Sequence, residues 1–203
     1  MNIGILGGTF DPVHTGHLVV AEEVTSRLGL DEIVLVPAGQ PWLKADNTIS
    51  EACHRVQMVK LAITGKQHFR LSTIEIERPG PTYSVDTVSE FREELDVGDE
   101  LYFVLGWDNL EQLPRWHQPE LLVSMCRLVA VPRVGFAVPD LASLDEAIPG
   151  LSKRVIVLDR PQIDISASVI RERVRRGLPI SHLVPQAVEK YIREHGLYRD
   201  KED

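Results

Sequence analysis

Cysteine is scarce in this 203-residue chain: Cys53 and Cys126 stand far apart and belong to no CxxC pair. That excludes a disulfide framework and a cysteine-paired zinc module, and it suits a reducing compartment. Long hydrophobic runs are missing too, since none approaches the roughly 20 residues that span a bilayer. The opening MNIGILGG lacks the basic start and extended apolar stretch of a secretory leader. The expectation is a soluble, cytoplasmic protein with no membrane partner. Basic charge is in deficit: 22 Lys and Arg against 30 Asp and Glu leave a net charge of −8, which argues against nucleic acid as a partner. A local cluster of donors can still receive a small anion. No repeat, low-complexity tract or linker interrupts the chain, so a single domain over 1–203 is expected, with a C-terminal helical part at about 166–198.

What is present is alternation. Asn2–Leu6, Ile33–Val36, Arg70–Ile76, Leu101–Leu105, Arg127–Val131 and Arg154–Leu158 read as strands, several apolar almost throughout, as strands covered on both faces are. Helical periodicity fills the gaps at Gly16–Leu28, Glu51–Thr64, Ser84–Leu95, a broken Asn109–Ser124, Leu141–Ile148, Ser168–Arg176 and Pro185–His195. Leu18, Ala21, Val24 and Leu28 form the expected buried stripe of the first helix; Pro185 and Gly196 mark the ends of the last. The segment PRVGFAVPDLASLDEAIPG is the most loop-like, an insertion or a flap. The pattern predicts an α/β fold: a Rossmann-like, doubly wound, mainly parallel sheet with helices on both faces. Ligands of such sheets bind beyond the carboxyl ends of the strands, where strand order switches.

The first strand runs into GGTFDPVHTGH. Gly7 and Gly8 let backbone N–H groups approach an anion, and the following helix N-terminus adds partial positive charge. The common phosphate signatures are absent: there is no GxGxxG, and TGKQ at 64–67 has Gln67 where a Walker motif needs Ser or Thr. His14 and His17, three apart at a helix entry, can share one face. A metal pair is one reading, but HExxH spacing and a clustered third ligand are lacking. One packing and one capping histidine is the bland alternative. Their place after Gly7-Gly8-Thr9 and Asp11-Pro12 favours donation to phosphate oxygens.

GGTFDPVHTGH, with His14-Thr15-Gly16-His17 as its HxGH element, resembles the signature of the HxGH nucleotidylyltransferase superfamily. Three further stretches resemble bacterial nicotinate-nucleotide adenylyltransferases: GPTYSVDTV at 80–88, VLGWDNLEQLPRWHQPEL at 104–121 and DISASVIRERVRRGLPISHLVPQAVEKYI at 164–192. The resemblance covers nearly the whole chain in order. It implies an adenylyltransferase that joins nicotinate mononucleotide to ATP, with Mg²⁺ carried mainly by the ATP phosphates and no protein metal site.

On that resemblance His14, His17, Lys44 and Arg171 are the expected catalytic donors. Gly7, Gly8, Thr9, Phe10, Gly106, Asp108, Arg133, Ser166 and Ser168 are expected at ATP, and Thr82, Tyr83, Ser84 and Trp116 at the mononucleotide. The residue types suit these roles. Aromatic faces suit a pyridine ring, backbone N–H groups around Thr82–Ser84 suit its carboxylate, and a guanidinium suits phosphate. The plain alternatives are a core tryptophan at 116 and helix caps at Asp108 and Ser166. The chain departs from the family pattern at Ala167, which removes one hydroxyl, at PWLK in the Lys44 loop, and at the bulky Trp107. The rival functions are a phosphopantetheine adenylyltransferase-like sibling, preference for the amidated mononucleotide, and a non-catalytic nucleotide sensor. Against the first stand His14, where that family carries Thr, and the TYSVDT segment; against the last, the retained donors. A homo-oligomer is left open.

Overall fold

Side chains of a strand alternate between the two faces of its sheet, so a run apolar at every position needs a layer on each side. The computed structural model, which describes residues 1–41 and 49–199, has that arrangement. Strands β1 (Asn2–Gly8), β2 (Glu32–Pro37), β4 (Phe69–Leu71), β6 (Glu100–Gly106), β7 (Arg127–Val131) and β8 (Val155–Val157) form one sheet in the order β4-β2-β1-β6-β7-β8. Every pairing in it is parallel. Two short strands, β3 (Gln40–Pro41) and β5 (Pro81–Thr82), pair separately.

Ile3 and Ile5 of β1, Leu101, Phe103 and Leu105 of β6, and Leu128 and Ala130 of β7 point into one core. There they meet α4 (Ser84–Glu93), α5 (Trp107–Gln112), α6 (Pro119–Met125) and α7 (Leu141–Ala147), which supply Val88, Phe91, Leu110, Leu122 and Leu144. Leu6, Val104, Val129 and Val131 point the other way, onto α1 (Thr15–Leu28), α2 (Ala52–Ile63), α8 (Ala167–Arg175) and α9 (Gln186–Glu194). The chain therefore winds outward from β1 through β2 to β4, then returns to the other side of β1 with β6. The carboxyl ends of β1 and β6 flank the switch in strand order.

The α/β fold, the six strands of the sheet and the seven helical segments stand where the sequence pattern put them, with four corrections. Arg70–Ile76 is not one strand: β4 ends at Leu71, and Ile74–Glu77 forms a one-turn helix, α3, because the Glu75 side chain is drawn inward to a hydrogen bond with Thr87. Gly7 and Gly8 are the last rungs of β1, paired with Val36 and Pro37, rather than a turn after it. Leu28 is only half-buried, unlike Leu18, Ala21 and Val24. The second half of PRVGFAVPDLASLDEAIPG is no flap. Asp140 caps α7 by accepting from the Ala142 and Ser143 N–H groups, and Leu144 and Ile148 are buried.

Candidate active site

Between the carboxyl ends of β1 and β6 the chain encloses a cleft of about 760 Å³. Its floor is Gly7 and Gly8 on one side and Gly106 on the other. From β1 the chain turns through Phe10, a non-glycine residue held at φ +49° and 2% exposed. Left-handed backbone at such a residue is strained and persists where its surroundings demand it. Here the ring is packed edge-on against His17, with centroids 4.9 Å apart.

His14 is the cap residue of α1 and is 6% exposed. Its ring stacks on that of His17 with centroids 3.7 Å apart and planes at 24°. The His14 backbone N–H donates to His17 Nδ1 at 3.2 Å, so the proton of a neutral His17 ring sits on Nε2. Burial, and after it the positive charge of Arg133, push the pKa of His14 down to about 4. At neutral pH this ring is therefore a neutral hydrogen-bonding group. Gly16 is required between the two histidines. A Cβ there would lie 2.5 Å from Ile163 Cγ2 and 3.0 Å from His14 Nδ1.

Facing the histidines, α8 starts at Ser166, whose Oγ accepts from the Val169 N–H at 3.3 Å and lies 3.1 Å from Ser168 Oγ. Ser166 is thus a helix cap as well as a wall of the cleft. Arg171, one turn on, donates from Nη1 to the Asp11 carbonyl at 2.8 Å. Just past β7, Arg133 pairs at 3.0 Å with Oδ2 of Asp108, which lies just past β6. A Cβ on Gly106 would collide with Asp108 Oδ1, so this glycine makes room for the carboxylate itself.

The far end of the cleft is built differently. Thr82 of β5 is buried, Tyr83 caps α4 and Ser84 begins it. Trp116 stands edge-on to Phe103, with centroids 6.2 Å apart at 89°. Tyr83 lies over the His117 ring at 4.4 Å. Among the described residues six buried side-chain N or O atoms lack a hydrogen-bond partner, and three of them line this cleft: His14 Nδ1, Asp108 Oδ1 and Trp116 Nε1. Unpaired buried polar atoms are costly. Three in one cavity mark a place made for a polar guest.

A family model for cytidylyltransferase-like proteins matches residues 5–173. Among curated relatives, a "probable nicotinate-nucleotide adenylyltransferase" of Dehalococcoides mccartyi is 57% identical over 98% of this chain and 97% of its own length. A relative of the same name from Roseiflexus is 44% identical over 97% and 98%. The chain belongs to the nicotinate-nucleotide adenylyltransferase family. Its fold is also that of the Plasmodium falciparum nicotinic acid mononucleotide adenylyltransferase solved with NaAD, at a TM-score of 0.79 over 97% of each chain and 23% identity.

For this member of the nicotinate-nucleotide adenylyltransferases, sixteen of the seventeen residues singled out in the sequence line one cleft. The exception is Lys44, which lies outside the described residues, as does most of the PWLK loop. Trp107, the first residue of α5, is in the core and not in the cleft.

Four residues escaped the sequence reading. Arg55 is 2% exposed and donates to the carbonyls of Ser50, Thr9 and Ala38 at 3.0, 3.0 and 2.7 Å, so it braces the histidine loop. Its signal was available: it shares the buried stripe of α2 with Met58, Val59 and Ala62, where a charge has no business without partners. Asp11 takes the Ser50 N–H at 3.1 Å and the Tyr198 hydroxyl at 2.7 Å. Glu75, whose pKa burial raises, accepts from the Thr87 hydroxyl at 2.7 Å beneath Thr82. His117 adds a second ring beside Tyr83. No periodicity distinguishes these last three from ordinary loop residues.

Proposed function

We propose that residues 1–203 act as one nucleotidyltransferase domain that joins nicotinate mononucleotide to ATP, giving deamido-NAD and pyrophosphate, in a cytoplasmic step of NAD synthesis. The observation that carries this reading is the two-ended cleft. Donors and a helix N-terminus gather at His14, His17 and Arg171, and aromatic faces gather at Tyr83 and Trp116, in one cavity. Relatives 42–57% identical over nearly the full chain carry the matching name.

The mononucleotide phosphate oxygen attacks the α-phosphorus of ATP in line. The bond from that phosphorus to the bridging oxygen breaks, and pyrophosphate leaves with the electron pair. A phosphate monoester has a second pKa of about 6, so the nucleophile is already largely dianionic at neutral pH and needs no general base. What remains is positioning and charge stabilisation. His14 and His17 donate to triphosphate oxygens, His17 nearest the α-phosphate; the neutral His14 supplies a hydrogen bond without a proton that can be lost. Arg171 and Lys44 answer the charge that grows on pyrophosphate. Ser166 and Ser168 face the triphosphate, Asp108 takes sugar hydroxyls, and Gly7, Gly8, Thr9, Phe10, Gly106 and Arg133 shape the ATP end. Thr82–Ser84 hold the nicotinate carboxylate through backbone N–H groups, and Trp116 covers the ring.

Of the cleft carboxylates, Asp11 and Glu75 are spent on protein hydrogen bonds and Asp108 is paired with Arg133. The described residues fit a Mg²⁺ that would enter on the ATP phosphates, where it would neutralise charge, and offer it no carboxylate cage.

The test is pyrophosphate release from ATP offered nicotinate mononucleotide, its amide and phosphopantetheine in turn. Turnover with nicotinate mononucleotide above the other two supports the assignment; release with phosphopantetheine alone, or with none, refutes it.

A further inference from the structure

Away from the cleft, the start of α2 and the end of α9 gather side chains that adenylyl transfer does not use. Glu51 immediately precedes α2, and Cys53 and His54 lie in its first turn. One ligand atom from each of the three lies within 4.8 Å of the other two. Cys53 Sγ is 3.6 Å from Glu51 Oε2, and Cys53 is exposed. His195, at the end of α9, meets His54 with ring centroids 5.5 Å apart at 70°.

Two contacts prepare the rings for a cation. His195 Nδ1 lies 3.0 Å from the Tyr191 carbonyl oxygen. A carbonyl only accepts, so Nδ1 carries the proton and Nε2 keeps its lone pair. His54 Nδ1 lies 2.9 Å from the Tyr191 hydroxyl, which orients that ring and leaves Nε2 to ligate. Metal-bound histidines ordinarily make an outer contact of this kind.

We propose that Glu51, Cys53 and His54, with His195 completing the set, form a site for a zinc-type divalent cation. Sulfur, imidazole nitrogen and carboxylate oxygen are the donors zinc takes in tetrahedral geometry. Ligand atoms around zinc lie roughly 3.5 Å from one another, so the Glu51, Cys53 and His54 atoms, within 4.8 Å as they stand, have only a short way to close. The all-oxygen preference of Mg²⁺ separates this site from the metal that travels with ATP. An ion here ties α2 to α9.

The experiment titrates tag-free, metal-stripped protein with Co²⁺ in the absence of nucleotide. One equivalent is expected to produce thiolate-to-cobalt charge-transfer absorption that Zn²⁺ displaces, and Zn²⁺ is expected to raise the melting temperature. Cys53→Ser removes the band. His54→Ala and His195→Ala weaken binding at least tenfold, and Tyr191→Phe weakens it about 10–100-fold through the lost outer contact. Circular dichroism and Mg²⁺-supported activity, both expected at parental level in Cys53→Ser, show that this variant is folded. Absence of the band at saturating Co²⁺ overturns the proposal. So does a band that survives Cys53→Ser, which would point to the buried Cys126, or parental affinity in either histidine variant.

Discussion

Acid should destabilise this protein through His14 in a way that one substitution isolates. Above about pH 6.5 the ring is neutral whether the chain is folded or not, and its contribution does not vary with pH. Below that the unfolded chain takes a proton, while the folded ring, buried beside His17 and facing the charge of Arg133, refuses one until about pH 4. The unfolded state therefore binds more protons between those limits, and stability falls as pH falls through them. At 1.36 kcal/mol per pKa unit, the drop from 6.5 to about 4 corresponds to about 3 kcal/mol. His14→Asn keeps a polar side chain and cannot titrate. Urea unfolding of both proteins at intervals from pH 7 to pH 4 should give curves that converge by about 3 kcal/mol as the parent loses its advantage. Parallel curves across that range would refute the burial argument. A parental protein that gains stability relative to the variant on acidification would reverse its sign.

His17→Ala should lower turnover by about 10²–10³-fold, the usual cost of removing one preorganised donor, while the melting temperature stays near parental; near-normal kcat would sink the mechanism. Gly16→Ala forces Ile163 and His14 to move, so activity should fall more than tenfold in steady-state assays, with only a small loss in thermal stability. Trp116→Ala should raise KM for the mononucleotide several-fold and leave KM for ATP nearly unchanged, because the ring lies at the far end of the cleft. Arg55→Met strips three part-buried carbonyls of their donor at once, and equilibrium unfolding should show a loss of about 3 kcal/mol.

The sheet was legible because its strands are apolar on both faces, a pattern that admits few arrangements once helices alternate with them. Boundaries failed where a buried polar group or backbone pairing outvoted local pattern. Glu75 turned a continuing strand into α3, and the pairing of Gly7 and Gly8 with Val36 and Pro37 extended β1 past its last apolar side chain. The candidate site was legible for a different reason. HTGH, TYS and SASVIR each carry polar or aromatic residues at the entry to a helix; the first and last lie at the carboxyl edge of the main sheet, and TYS follows the separate β3–β5 pair on the far wall of the same cleft. Asp11, Glu75 and His117 were not, because their importance lies in partners distant in sequence; Arg55 showed only as a charge within the buried stripe of α2. Ser50 and Tyr198 choose Asp11, and nothing near residue 11 announces them.

That last link has a consequence for how the protein comes into being on the ribosome. Asp11 is met by Arg171 and by Tyr198 across separations of 160 and 187 residues, and Thr15 donates through its hydroxyl to the Leu183 carbonyl at 3.0 Å. The strands of the sheet have all emerged by residue 157. A nascent chain of that length owns its scaffold and lacks one bank of its cleft. The loop translated almost first is thus finished almost last, and nucleotide binding is expected to appear only once the final helix has docked.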